Sequence, residues 1–249
     1  MAGHSKWASI KHKKKAVDAK RGALFTKLTR AITVAARDGG DPDGNPALAL
    51  AVQKARDASM PKDNIERAIA KGTGADADAA SFEEVLYEGY GPGGVAILVE
   101  TLTDNRNRTG SEIRHAFTKH GGNLGEPGSV AWTFEKKGEI VVDGSRYSED
   151  DLLAAIDAGA EDVALDGDVW EVVTAPTDVA AVRDALAAEG VEIESAELVQ
   201  RPTTRTPVEE ERVAGLMRLI EALEDSDDVQ AVHANFDVDS DVLERVAAT

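Results

Sequence analysis

The stretch that decides the fold lies in the second half of the chain. Residues 138–199 have the sequence GEIVVDGSRYSEDDLLAAIDAGAEDVALDGDVWEVVTAPTDVAAVRDALAAEGVEIESAELV. Apolar and β-branched runs predict strands at 139–142, 162–165, 169–174 and 191–199, with helices between them at 148–158 and 177–188. The order β-α-β-β-α-β is the ferredoxin-like plan. We therefore predict a ferredoxin-like unit over 138–200, a scaffold that by itself indicates no activity.

The segments on either side of this unit are each too small to form a stable domain. Before it, a hairpin is predicted at 85–102 around the Gly91-Pro92-Gly93-Gly94 turn, then a helix at 109–120 and a strand at 130–134. After it, a linker at 201–207 precedes an amphipathic helix with Val213 and Leu216 and a strand at 229–236. Together they make one α+β layer. We predict a split domain, 81–135 plus 207–249, with the ferredoxin-like unit inserted.

The first 74 residues predict helix throughout. Leu24, Leu28 and Ile32 form an apolar stripe at helical spacing, and Pro46 and Pro61 mark the starts of two further helices. Short helices with narrow stripes need one another, so a small bundle over 1–74 is the economical prediction. A linker at 73–80 follows it. The predicted fold class is α+β, with three domains.

The charge is distributed unevenly. The 249 residues carry a net charge of -18, with 28 Lys and Arg against 46 Asp and Glu. Residues 1–72 hold 15 basic and 7 acidic side chains, a net charge of +8, and residues 73–249 hold the other 13 and 39, a net charge of -26. A basic head attracts a polyanion and an acidic body repels it. The chain should therefore meet a polyanion with its head.

Several classes of protein are excluded by composition and motifs. There is no cysteine, which removes disulfide scaffolds, thiol nucleophiles and iron–sulfur clusters. No sequence signature of a zinc protease, serine hydrolase, P-loop or EF-hand occurs. No run approaches the ~20 apolar residues of a membrane span. We predict a soluble, cytoplasmic protein that is not an enzyme, with no cofactor, no metal, no small-molecule substrate and no membrane partner.

The head carries a dense cationic run at 10–21, IKHKKKAVDAKR, in which Asp18 is the one acid. Closely spaced, flexible cations suit phosphate contacts, because each neutralised phosphate releases counterions. Trp7 could stack on exposed bases, although packing is an equal alternative. A solvated helical face is the alternative for the run as a whole. The predicted nucleic-acid-binding residues of the head are Lys6, Trp7, Lys11, His12, Lys13, Lys14, Lys15, Lys20, Arg21, Lys27 and Arg30.

Two loops of the body are further candidates. Arg106 and Arg108 lie in the segment 103–109, TDNRNRT, in a body with few basic residues, and we include both among the nucleic-acid-binding residues. Turn and helix-cap chemistry from its Asp and Asn side chains is the alternative interpretation. The glycine-rich segment 121–129, GGNLGEPGS, is either a flexible turn or a contact loop.

Four long blocks resemble the YebC family. They are MAGHSKWASIKHKKKAVDAKRGALFTKLTRAI (1–32), MPKDNIERAIAKG (60–72), YEGYGPGGVAILVETLTDNRNRT (87–109) and GGNLGEPGSVAWTFEKKG (121–138). Small departures are Ala23, where many relatives carry lysine, and Ser59, where asparagine is usual. The resemblance implies a three-domain α+β protein with a helical N-terminal domain and a ferredoxin-like domain inserted in the middle one. It also implies a cytoplasmic location and no enzymatic activity.

The resemblance also implies two alternative activities. Members are described as probable transcriptional regulators that bind promoter DNA. Close relatives are described as translation factors at the ribosome, including a mitochondrial activator of cytochrome oxidase subunit I synthesis. The predicted partner is therefore nucleic acid, either DNA or rRNA on the ribosome. A protein-interaction adaptor is a third hypothesis.

The head lacks an obvious base-reading recognition helix, which predicts weak sequence preference and strong salt dependence.

Overall fold

A computed structural model describes residue 7, residues 19–74 and residues 82–247, with the backbone alone at 19–21. The described helices are α1 Ala19–Ala35, α2 Pro46–Asp57, α3 Lys62–Gly72, α4 Arg106–Lys119, α5 Leu153–Asp157, α6 Val179–Ala188, α7 Glu210–Glu224 and α8 Ser240–Ala247. The described strands are β1 Glu83–Tyr90, β2 Ala96–Thr103, β3 Asn123–Leu124, β4 Phe134–Asp143, β5 Ala160–Asp166, β6 Val169–Thr174, β7 Ile193–Pro202, β8 Thr206–Pro207, β9 Val229–Ala234 and β10 Phe236–Asp237.

The helices α1, α2 and α3 pack around a small apolar core that includes Leu28, Ile32 and Leu48. Asn45 organises the start of α2. Its side-chain oxygen accepts a hydrogen bond from the Leu48 amide at 3.1 Å, and its side-chain nitrogen donates to the Ala35 and Gly39 carbonyls at 2.7 and 2.8 Å. One side chain thereby caps α2 and fixes it to the end of α1.

The first sheet has the order β3-β1-β2-β9 with antiparallel neighbours. The strand β2 is apolar on both faces, as a central strand must be when both are covered. One face packs on α4 and α7 through residues such as Ile97, Phe117 and Ile220. The opposite face carries Leu98, which packs on Val130 and Phe134.

The second sheet has the order β5-β6-β4-β7, again with antiparallel neighbours. Along the chain its elements follow one another as β4, α5, β5, β6, α6 and β7. The β-α-β-β-α-β order expected from 138–199 is therefore confirmed. Its core lies between the sheet and the two helices, around Ile140, Val172 and Leu186.

Several predicted elements are corrected. The predicted strand at 130–134 is wrong: Ala131–Thr133 form a 3₁₀ turn and the strand begins at Phe134. The predicted linker at 201–207 is partly structured, because β7 runs to Pro202 and Thr206–Pro207 pair with β10. The helix α8 was not predicted. The predicted linker at 73–80 lies mostly outside the described residues.

Within the described ranges, no helix is both long and apolar enough to cross a membrane.

Candidate nucleic-acid interface

Most of the predicted cationic run lies outside what the structure describes. Lys20 and Arg21 belong to α1, whose backbone alone is given at those positions. The predicted residues outside the described ranges are Lys6, Lys11, His12, Lys13, Lys14 and Lys15. Their role in binding nucleic acid stays a prediction.

The side chain of Trp7 is buried. It is 4% exposed and belongs to the core of the first sheet, together with Val213 and Leu243. A large indole gains more from burial in an apolar core than from water contact. A ring this deeply buried cannot stack on a base. The placement of Trp7 among the nucleic-acid-binding residues is therefore corrected, and the packing alternative holds.

Lys27 and Arg30 join the head to the body. The Lys27 ammonium donates a hydrogen bond to the Glu224 carbonyl, at the C-terminal end of α7, where a positive charge is favoured. The Arg30 guanidinium donates to the Asp227 carbonyl and, at 2.7 Å, to the Asp228 carboxylate. We call this contact the head–body latch. Both Lys27 and Arg30 were predicted from the sequence to bind nucleic acid.

The Phe82 ring also lies against Arg30, with the guanidinium carbon 5.3 Å from the ring centroid. Arg30 and Phe82 line a pocket of about 320 Å³ between α1, α3 and the start of β1, together with Phe25 and Lys71. Arg30 therefore makes a cation–π contact with Phe82 as well as the ion pair with Asp228.

Asp228 is the buried acceptor at the centre of the latch, 3% exposed. Besides Arg30, it accepts hydrogen bonds from Arg108 at 2.8 Å and from the Thr109 hydroxyl at 2.6 Å. Burial alone would raise the pKa of Asp228. The hydrogen bonds from Arg108 and Thr109, with the charges of Arg108 and Arg30, outweigh burial and hold that pKa below its ordinary value.

The segment with Arg106 and Arg108 is the start of α4. The Asn105 side chain accepts a hydrogen bond from the Arg108 amide at 3.1 Å, so Asn105 is the N-cap. Arg106 remains exposed, with one guanidinium nitrogen 3.8 Å from the Glu83 carboxylate. Helix-cap chemistry is therefore present. Arg108 binds the Asp228 carboxylate beside Arg30, whereas Arg106 faces solvent. The two arginines therefore have different surroundings.

The glycine-rich loop is held by Glu88, a residue that the sequence analysis missed. The Glu88 carboxylate is 6% exposed and accepts hydrogen bonds from the Gly128, Val130 and Ala131 amides at 2.6, 2.7 and 2.8 Å. Burial raises the pKa of Glu88, but these three backbone donors outweigh it, so that the pKa lies below its usual value. The loop is thus a fixed structure. In the sequence, the one signal of this role was a glutamate at an inward-facing position of a predicted strand.

This fixed loop presents Trp132 to solvent. The indole is 73% exposed. Its N–H donates to the Ser129 carbonyl at 3.1 Å, and the Tyr90 hydroxyl donates to the same carbonyl at 3.0 Å. Two aromatic side chains therefore meet at one backbone oxygen. Trp132 was predicted to lie in a strand, and its exposure was not foreseen.

Within the described part of the chain, no group of three or more His, Cys, Asp or Glu side chains is placed to hold a metal ion.

The chain matches two family models over nearly its whole length. Residues 5–75 match the TACO1/YebC protein N-terminal domain, and residues 82–236 match the TACO1/YebC second and third domain. The chain therefore belongs to the TACO1/YebC family.

Relatives share more than half of its sequence. A protein of Rubrobacter xylanophilus is 57% identical over 99% of this chain and 100% of the relative, and one of Acidothermus cellulolyticus is 56% identical over the same shares. Both are named probable transcriptional regulatory proteins. The crystal structure of a conserved hypothetical protein from Aquifex aeolicus is 49% identical, with a TM-score of 0.81, and the match covers 90% of this chain and 93% of that one.

Proposed function

We propose that the protein is a non-enzymatic regulator that binds nucleic acid through its basic head. The observation that carries the proposal is the charge asymmetry, +8 over residues 1–72 against -26 over the rest. The names of the relatives agree with a regulatory role.

We also propose that the chain is divided as the sequence predicts, into 1–74, 81–135 plus 207–249, and 138–200. Separate apolar cores in the helical head, the first sheet and the second sheet support this division. Trp7 is the exception, since it belongs to the head by sequence and to the core of the first sheet by packing. It would anchor the start of the chain on the body.

Promoter DNA is the first candidate ligand, because the relatives are named transcriptional regulatory proteins. The second candidate is rRNA on the ribosome, and the exposed Trp132 favours it. An aromatic side chain in solvent suits unpaired bases, which stack on it whatever their sequence. Duplex DNA offers no such bases unless it is unstacked.

The test of the head is charge reversal in the full chain. Replacing Lys13, Lys14 and Lys15 by Glu should abolish binding of a labelled duplex DNA and of a labelled single-stranded RNA, measured by fluorescence anisotropy. The matched control reverses three cations of the second sheet unit, Lys136, Arg146 and Arg183, and should bind as the wild type does. Full binding by the Lys13, Lys14 and Lys15 variant would show that the head is not the binding surface.

The salt dependence provides an independent check. With six or more phosphate contacts, affinity should fall by about a thousandfold or more between roughly 50 and 200 mM salt. An isotherm that does not change over this range would contradict a phosphate-binding head.

Co-sedimentation with ribosomes separates the two candidates. The purified protein is spun with ribosomes at physiological salt, with excess duplex DNA as competitor. Retention in the ribosomal pellet supports the translation role. Release into the supernatant supports DNA as the ligand.

A further inference from the structure

Most cations of the acidic body are neutralised by a neighbouring carboxylate. Residues 82–247 contain 13 Lys and Arg. Nine of them form ion pairs: Arg106, Arg108, Lys137, Arg146, Arg183, Arg201, Arg205, Arg212 and Arg245. Four have no such pair with any residue in the described ranges: Arg114, Lys119, Lys136 and Arg218.

Two of these four lie where two helices meet. Lys119 ends α4 and Arg218 lies in the middle of α7, and the two helices pack against each other. Both side chains are exposed, as is His115 one turn before Lys119. We call His115, Lys119, His120 and Arg218 the α4–α7 cluster.

The pKa of His120 depends on the other three groups of the cluster. Burial lowers the pKa of His120 first, and the positive charges of Lys119, Arg218 and His115 lower it further. The charges of Lys119 and Arg218 therefore both lie close enough to His120 to disfavour its protonation. Close packing between these helix ends agrees with this, because a Cβ at Gly122 would approach the Leu219 side chain to 3.1 Å.

Helix-end electrostatics account for only part of the cluster. A lysine at the C-terminus of α4 compensates the helix dipole, and that would be sufficient reason for Lys119. Arg218 is not at a helix end: its Nε donates to the Ala214 carbonyl one turn earlier in α7. Arg218 is therefore exposed, away from a helix end and without an ion pair among the described residues, which leaves its guanidinium accessible to an anionic ligand.

The surface beside the cluster has few side chains. Gly121 and Gly122 follow His120, and a Cβ placed at Gly121 or at Gly215 would approach the Pro92 ring to 3.9 or 3.7 Å. The turn at Pro92–Gly94, the start of the glycine-rich loop and α7 therefore meet at this end of the body. Gly121 is exposed and carries no side chain, so a polymer backbone can approach the chain closely at this position.

We propose that the α4–α7 cluster binds the phosphodiester backbone of the nucleic acid that the head holds. This inference rests on the proposed function. Lys119 and Arg218 supply the phosphate contacts, and the glycine surface admits the backbone. The proposal adds a second contact region, on the body, to the one on the head.

The latch favours nucleic acid over an acidic protein as the occupant. It fixes the head near Arg108, and Lys119 lies eleven residues further along the same helix, about 17 Å at 1.5 Å per residue. A polymer with a charge on every nucleotide can span that distance. An acidic peptide would have no reason to extend from one to the other.

The test replaces both Lys119 and Arg218 by Glu in the full chain. Anisotropy with the labelled RNA and duplex DNA should show an affinity at least about tenfold weaker, with the slope of log affinity against log salt reduced by about 1 to 2. The control, Lys136→Glu with Arg146→Glu, makes the same change in charge elsewhere on the body and should keep the wild-type affinity and slope. The neutral pair Lys119→Gln with Arg218→Gln should show a smaller loss in the same direction.

Three outcomes would overturn the inference. One is a Lys119 and Arg218 variant that binds as the control does while the Lys13, Lys14 and Lys15 variant loses binding; the proposed function then stands without it. Another is a Lys119 and Arg218 variant that keeps nucleic acid binding but loses a binding of polyglutamate that the wild-type protein shows. That result would assign the cluster to an acidic protein. Wild-type protein that binds neither probe would overturn the proposed function and this inference together.

Discussion

Asp228 shows how one buried carboxylate can join two parts of a chain. It accepts hydrogen bonds from Arg30 of the head and from Arg108 and Thr109 of the body. Hydrogen bonds to a buried charge are stronger than neutral ones, and removing the charge leaves its donors unpaired. The stability of the whole arrangement should therefore depend on this residue.

We expect Asp228→Asn to lower the free energy of unfolding by about 2 kcal/mol, because the charge-assisted bonds are lost. Chemical denaturation measures it. The control Asp227→Asn alters an exposed neighbour whose carbonyl, not its carboxylate, contacts Arg30. Equal stability of the two variants would contradict the central role of Asp228.

The pH dependence of this effect has a definite sign. The folded pKa of Asp228 is below its ordinary value, so the folded state favours the charged carboxylate. Its stabilisation is complete above the unfolded pKa of about 4 and is lost as the pH falls through the lower folded pKa. The difference between wild type and Asp228→Asn should disappear in the same acid range.

Ser59 adopts a backbone conformation that suits glycine. Its φ is +58°, just after α2, and the Ser59 and Met60 amides donate to the Arg56 and Ala55 carbonyls, both at 2.8 Å. The left-handed region costs a non-glycine residue about 1–2 kcal/mol, and glycine loses about 0.5–1 kcal/mol in unfolded-chain entropy.

We therefore expect Ser59→Gly to raise the free energy of unfolding by up to about 1 kcal/mol. Ser59→Ala keeps the unfavourable φ and serves as the control. Thermal melting of the two variants beside the wild type measures the difference. A glycine variant no more stable than the alanine variant would contradict the strain argument.

Sequence alone located the cations but not their partners. Lys27 and Arg30 were recognised as part of a basic surface, and their contacts with Glu224 and Asp228 were not foreseen. Those acceptors lie about 200 residues away along the chain. Charge is a property of a residue, whereas an ion pair depends on how distant segments dock.

Among the elements, the glycine-rich loop depends on the strand β1. Glu88 holds three of its amides, and the Gly125 amide donates to the Glu88 carbonyl at 2.7 Å. A loop tied at four points to one strand residue should exchange its amide protons slowly.

We expect Glu88→Gln to release this loop, because a neutral amide offers one acceptor oxygen and turns a donor toward other donors. The loss of stability should be about 2 kcal/mol, and hydrogen exchange at Gly128, Val130 and Ala131 should accelerate. Glu84→Gln, at an exposed position of the same strand, is the control. Unchanged exchange at those amides would contradict the assignment.

The periodic segments were predictable and the irregular ones were not. The order of elements over 138–199 follows from local patterns, because each strand and helix there buries one face. The apolar run at 130–134 has the same appearance but forms a 3₁₀ turn, since Glu88 takes the Val130 and Ala131 amides that a strand would need. Such a contact leaves no periodic signal.

At the scale of the whole molecule, the head–body latch divides the cations of the head into two groups: those that contact the body and those predicted to bind phosphate. Lys27 and Arg30 bind the body, and so do Arg37, which donates to the Phe82 carbonyl, and Lys54, which pairs with Glu197. The predicted phosphate contacts therefore rest on the other cations of the head. The charge asymmetry could be read from the sequence, but this division of roles required the docked structure.

We expect Lys27→Ala with Arg30→Ala to loosen the head while keeping most of the nucleic acid binding. The radius of gyration from small-angle scattering should rise, because the contacts with Glu224 and Asp228 are lost. Affinity should fall far less than it does in the Lys13, Lys14 and Lys15 variant, because the predicted phosphate contacts of the head are kept. A loss as large as that of the Lys13, Lys14 and Lys15 variant would place these two side chains on the phosphate instead.

The pairing of β4 with β7 has a consequence for how the protein could be remodelled. Phe134 lies opposite Pro202 in that ladder, so the chain enters and leaves the second sheet unit at neighbouring positions, about 5 Å apart. A short turn could therefore replace everything between them without shifting a strand of the first sheet. The second sheet unit could therefore be replaced by another domain whose two termini lie close together.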